Sequence, residues 1–121
     1  MKRILIIDDD DQFREMLCAM LEKEGFQVEE AADGDIGIEL QRKRPFDLIL
    51  TDIIMPNKEG IGTIIDLRHD FPDVKIIAIS GGGRIVPNNY LDVAEKLGAH
   101  RTLSKPFERK ELISVIRELI G

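Results

Sequence analysis

A chain of 121 residues is long enough for one compact hydrophobic core and too short for two ordinary domains, so a single domain is expected over residues 1–121. Its 17 Lys and Arg against 23 Asp and Glu leave a net charge of −6, which disfavours nucleic acid, and the dense basic run Arg42-Lys43-Arg44 reads as a solvated helix end complementing the helix dipole. The lone Cys18 rules out an internal disulfide or a thiolate metal cage and suits a reducing cytoplasm, and the apolar run in MKRILIIDDDD is too short for a signal or membrane segment.

In chain order, Ile4-Leu5-Ile6-Ile7 is a β-branched run without alternation, as in a strand buried on both faces. Phe13, Met16, Leu17, Met20 and Leu21 then share one face at helical spacing, and Gly25 stops that helix after Glu24. Phe26-Gln27-Val28-Glu29 alternates like an edge or half-covered strand. A weak helix follows over 35–43, apolar at Ile36, Ile38 and Leu40, weakened by Gly37 and ended before Pro45.

Leu48-Ile49-Leu50-Thr51 is a third strand, and Ile61, Ile64, Ile65 and Leu67 predict a helix stopping near Phe71-Pro72. Ile76-Ile77-Ala78-Ile79 is a fourth strand, followed by a glycine-rich loop. Leu91, Ala94 and Leu97 mark a helix closed by Gly98, Thr102-Leu103 a short fifth strand, and Leu112, Ile113, Ile116, Leu119 and Ile120 a last helix. Strict alternation of strands and helices predicts the α/β class, a doubly wound parallel sheet with helices on both faces.

In such sheets the ligand site lies beyond the carboxyl ends of the strands. There the chain carries Asp8 and Asp9 after strand one, Asp52 after strand three, Ser80 after strand four and Lys105 after strand five. Three carboxylates gathered at one edge repel one another and call for a cation. Oxygen-only ligands point to a hard ion, with Mg²⁺ favoured over Ca²⁺ because it needs few protein ligands and keeps several waters. An aspartate beside Mg²⁺ is a competent nucleophile toward phosphorus, Lys105 can pair with a phosphoryl oxygen, and the Ser80 hydroxyl can donate to another.

Each residue also has a plainer role when taken singly. Asp10 or Asp11 caps a helix, Asp52 is a turn residue ahead of Met55-Pro56-Asn57, and Lys105 is an exposed charge before Pro106. His69, near a helix end, and His100, in a loop, read as solvated histidines, and Cys18 as a small helix residue. The glycine run after Ser80 lacks the Gly-Lys-Ser/Thr of a P-loop.

The motifs Ile4-Leu5-Ile6-Ile7-Asp8-Asp9, Asp47-Leu48-Ile49-Leu50-Thr51-Asp52-Ile53-Ile54-Met55-Pro56 with Gly60, Ile79-Ser80-Gly81 and Leu103-Ser104-Lys105-Pro106-Phe107 resemble those of response-regulator receiver domains of two-component systems, over essentially the full chain. The resemblance implies the flavodoxin-like strand order 2-1-3-4-5, for which a chemotaxis regulator is a standard example. It implies Asp52 as phosphoacceptor, Asp9 as a direct metal ligand, Asp8 as a ligand through water and the carbonyl of Ile54 as a further ligand. Ser80 and Lys105 would contact the phosphoryl group, and the Lys105-Pro106 bond would be cis.

Three departures stand out. Thr102 occupies the position of the family's usual aromatic switch residue, Gly81-Gly82-Gly83-Arg84-Ile85-Val86-Pro87 is expected to make the loop after strand four longer and more flexible than is typical, and Gly37 stands where helix two usually has Ala.

The expected function is a cytoplasmic, Mg²⁺-dependent signalling switch, not a conventional enzyme, phosphorylated by a histidine kinase or histidine phosphotransfer protein. It would signal to a protein target through the Tyr90 region and helices four and five, with no nucleic acid or membrane involved. Alternatives are a phosphorelay intermediate or a phosphate sink without output. An aspartyl-phosphate phosphatase would carry Asp-x-Asp-x-Thr, which Asp8-Asp9-Asp10-Asp11-Gln12 lacks, and a purely structural module would have no use for the full set of site residues.

Overall fold

The computed structural model describes residues 1–53, 60–81, 90–105 and 107–121, of which 60, 61, 81 and 90–93 are described as backbone only. Five strands alternate with five helices: β1 (Arg3–Ile7), α1 (Asp11–Lys23), β2 (Gln27–Ala31), α2 (Gly34–Lys43), β3 (Leu48–Asp52), α3 (Gly60–Asp70), β4 (Lys75–Gly81), α4 (Tyr90–Leu97), β5 (Arg101–Lys105) and α5 (Arg109–Ile120). The strands form one parallel sheet in the order β2-β1-β3-β4-β5. This is the predicted α/β fold with the predicted strand order.

Two apolar layers sandwich the sheet because alternate residues of each strand face opposite sides. Ile4, Ile6, Leu48, Leu50, Ile77, Ile79 and Leu103 meet Leu17 and Leu21 of α1 and Leu112 and Ile116 of α5. Leu5, Ile7, Ile49, Ile76 and Ala78 meet Ile38, Ile64, Leu67 and Ala94 of α2, α3 and α4. The central strands β1 and β3 are buried along their whole length, which is why Ile4-Leu5-Ile6-Ile7 and Leu48-Ile49-Leu50 are unbroken apolar runs, whereas edge strand β2 buries only its end and keeps polar residues.

The helix ends follow local chemistry. Asp10 and Asp33 cap α1 and α2 by accepting from the backbone N–H of Phe13 and Ile36. Gly25 and Gly98 take φ of 95° and 136° just beyond α1 and α4, left-handed backbone that favours glycine.

The predicted apolar stripes are wider than the buried ones. Met16, Ile36, Ile65 and Leu97 are exposed at the edges of their helices, because the inward face of a helix this short spans only three or four residues per two turns. Among the described residues no helix is long and apolar enough to cross a membrane.

Candidate functional site

The register of the sheet brings the strand ends level. Ile7 pairs with Thr51, so Asp8 stands beside Asp52. Asp52 pairs with Ile79, one residue before Ser80, and Ser80 and Gly81 pair with Ser104 and Lys105. Asp8, Asp9, Asp52, Ser80 and Lys105 thus lie at one edge, as the sequence predicted.

Asp8, Asp9 and Asp52 each offer a carboxylate oxygen to a group whose ligand atoms all lie within 4.8 Å of one another. Asp8 and Asp52 are buried, and so is Ser80. The Lys105 ammonium lies 3.0 Å from Asp8 Oδ2 and 3.7 Å from Asp52 Oδ2. Two buried carboxylates and a partly open third gathered this closely repel one another, which favours a bound cation among them. An all-oxygen set with one partly open member in Asp9 fits a hard divalent ion that keeps part of its water shell.

Asp8 is held on every polar atom. Its N–H donates to the Ala31 carbonyl at 3.1 Å. Its own carbonyl accepts from Arg14 Nη1 at 2.6 Å, Oδ1 accepts from the Asp10 N–H at 2.9 Å, and Oδ2 accepts from Lys105. Arg14 is fixed in turn by Asp11 and Glu30 at 2.7 and 3.2 Å. Two aromatic rings finish this side of the site. Lys105 Nζ lies 3.9 Å from the centroid of Phe13, and Phe107 meets that ring edge-on at 6.0 Å and 81°.

Arg14 and Phe13 were not singled out as site residues. A helical apolar stripe does not distinguish a ring facing the core from one facing an ammonium. A single cation in the first turn after four aspartates was the available signal for Arg14.

The expected carbonyl ligand of Ile54, the turn at Met55-Pro56-Asn57, the loop over 82–89 and the Lys105-Pro106 bond lie outside the described residues, as does the side chain of Tyr90. His69 is solvent-exposed beside Asp70, as expected. His100 is not a solvated loop residue: it is half-buried, its Nδ1 accepts from the N–H of Ile76 at 3.2 Å, and Arg68 Nη2 lies 3.3 Å away. Cys18 is partly buried against Glu30, and that burial, with the carboxylate's help, pushes its thiol up to about 12, which keeps it in the thiol form near neutral pH.

Known proteins resemble this chain along nearly its whole length. The family model for the response regulator receiver domain matches residues 4–117. The response regulator receiver protein CpdR of Brucella abortus is 35% identical over 120 residues, covering 99% of this chain and 98% of that protein. The transcriptional regulatory protein CpxR of Escherichia coli is 36% identical over 120 residues, which are 99% of this chain but 50% of CpxR, so the chain spans about half of that relative.

Among solved structures, chemotaxis protein CheY4 of Vibrio cholerae superposes with a TM-score of 0.89 at 25% identity, covering 99% of both chains. TrrA of Thermotoga maritima, solved in complex with Mg²⁺ and BeF, gives 0.88 at 28% identity, covering 99% of this chain and 100% of that one. With its sheet order, its acidic edge and its sequence all agreeing, the chain belongs to the response regulator receiver domains of two-component systems.

Proposed function

We propose that this protein is a cytoplasmic, phosphorylation-controlled switch whose Asp52 accepts a phosphoryl group from a histidine kinase or histidine phosphotransfer protein. Receiver domains as a family are signalling switches phosphorylated by such donors. The observation that carries the reading for this chain is the buried Asp52 carboxylate, grouped with Asp8 and Asp9 and 3.7 Å from the Lys105 ammonium.

Asp8, Asp9 and Asp52, with the Ile54 carbonyl expected from the family resemblance, would hold Mg²⁺, which when bound neutralises charge on the carboxylates and on the transferring group. An Asp52 oxygen forms a bond to phosphorus as the bond from phosphorus to the donor imidazole nitrogen breaks, the electron pair leaving with that nitrogen. The product is an acyl phosphate on Asp52. Lys105 donates to a phosphoryl oxygen as a fixed point charge, and Ser80 donates its hydroxyl to another. Asp8, held on all its polar atoms, keeps its part of the acidic edge preorganised for the transfer.

The test is phosphorylation of the full chain by acetyl phosphate, with MgCl₂ or with excess chelator. The parent should be labelled only with Mg²⁺, and Asp52→Asn not at all. Undiminished labelling of Asp52→Asn, or of the parent in chelator, would show that the acceptor or the metal dependence is wrong.

A further inference from the structure

We infer that Phe13 is a positioning residue for Lys105: its ring face holds the ammonium over the acidic edge and sets the rate at which Asp52 takes up phosphate. The inference rests on the proposed phosphotransfer to Asp52. An ammonium has three N–H donors and no acceptor. In this site Asp8 Oδ2 takes one direction at 3.0 Å, Asp52 Oδ2 lies at 3.7 Å, and the centroid of the Phe13 ring stands at 3.9 Å.

The ring answers a difficulty built into the site. Lys105 must stay close to the carboxylates yet remain available to an arriving phosphoryl oxygen. A further carboxylate against it would hold the charge too tightly and add to the repulsion among Asp8, Asp9 and Asp52. The negative face of an aromatic ring attracts the ammonium without adding net charge, and more strongly where water is excluded. The Lys105 side chain is only 12% exposed, so this contact is in the stronger regime.

Phe13 is itself fixed from two sides. Its N–H donates to Asp10 Oδ1 at 3.1 Å, and the Asp10 N–H donates to Asp8 Oδ1 at 2.9 Å. The path therefore closes: Asp8 to Asp10, Asp10 to Phe13, Phe13 to Lys105, and Lys105 back to Asp8. On the outer side Phe107, two residues beyond Lys105, presses edge-on at 6.0 Å.

Phe13→Leu keeps apolar bulk and removes the ring face, and Phe13→Tyr keeps the face. Phosphorylation by acetyl phosphate with MgCl₂ should slow by about twofold to thirtyfold in Phe13→Leu, the range of a cation–π contact at exposed to desolvated sites. Phe13→Tyr should recover most of that loss. In a Lys105→Met background, Phe13→Leu should have little further effect.

Without any phosphodonor, the Lys105 ε-CH₂ protons should show an upfield ring-current shift in the parent and in Phe13→Tyr, and lose it in Phe13→Leu. That shift tests the placement of Lys105 even where the phosphotransfer reading fails. An unchanged Lys105 shift and rate in Phe13→Leu would overturn the inference. So would a Tyr variant as slow as the Leu variant, or a Phe13→Leu loss that is just as large in the Lys105→Met background.

Discussion

His100 and His69 show how placement decides what a titratable side chain does. Arg68 Nη2 reaches the carbonyls of Val74 and Gly98 at 3.1 and 2.8 Å and lies 3.3 Å from His100 Nδ1, to which the N–H of Ile76 also donates. With two donors aimed at Nδ1, the neutral ring carries its proton on Nε2. Burial holds this imidazole below its ordinary value, and the neighbouring charges of Arg68, Lys75 and Arg101 push the same way. His69 is shifted upward by its hydrogen bond to Asp70, with the charges of Asp70 and Asp66 adding to it.

Because the folded state disfavours charged His100, the unfolded chain takes up this proton first as pH falls. The stability tied to His100 is therefore complete above about pH 6.5 and declines as pH drops through that value toward the lower folded one. His69 has the opposite sign, with a contribution present below about pH 6.5 and lost as pH rises through its raised folded value, though solvent screening keeps it small. Proton NMR titration should place His100 below about 6.5 and His69 above it, and His100→Gln should flatten the acid-side fall in Tm. A His100 titration at or above the ordinary value would mean that its contacts with Arg68 and Ile76 do not persist in solution.

Between elements, α2 and β1 approach so closely that a missing side chain becomes a requirement. A Cβ on Gly37 would stand 2.4 Å from Cδ1 and 2.8 Å from Cγ1 of Ile7, which is fully buried. Alanine would return about 1 kcal/mol of helix propensity, against about 1–3 kcal/mol for overpacking a tight core. Gly37→Ala should therefore lower stability by up to about 2 kcal/mol in denaturant unfolding, read from the midpoint at constant slope. A gain would show that Ile7 can move aside.

In sequence, Gly37 reads only as a weak point in a weak helix, because a close approach belongs to the pair of elements and not to either one. The same reason hid the roles of Phe13, Arg14 and His100. The ten elements, by contrast, are legible because central parallel strands are continuous apolar runs and helices announce themselves by period and stop signals. Asp8, Asp9, Asp52, Ser80 and Lys105 are legible because this topology sends the residue after each strand to one edge.

Over the whole molecule, α4 is anchored to the rest of the fold through its C-terminal end. Its C-terminal end is tied down: Ala94 is buried, the Gly98 and Ala99 N–H groups donate to the Ala94 carbonyl at 3.2 and 2.9 Å, Arg68 donates to the Gly98 carbonyl, and the His100 N–H donates to Ile76. Its first residue, Tyr90, follows Ser80 by ten positions in the chain.

Thr102, paired with Ala78 and half-buried on β5, has no ring to flip, so under the proposed phosphorylation of Asp52 the change is expected to pass by way of Ser80 to α4. With Mg²⁺ and a beryllofluoride mimic of the phosphoryl group, amide hydrogen exchange and shifts should change from Ser80 into the first half of α4. They should stay constant at Gly98, Ala99 and His100, where the Arg68 anchor holds. Changes running through that anchor would mean that α4 moves as a rigid unit. Changes confined to Asp52, Ser80 and Lys105, with α4 keeping its protection, would sink the relay and leave a phosphoryl carrier without a conformational output.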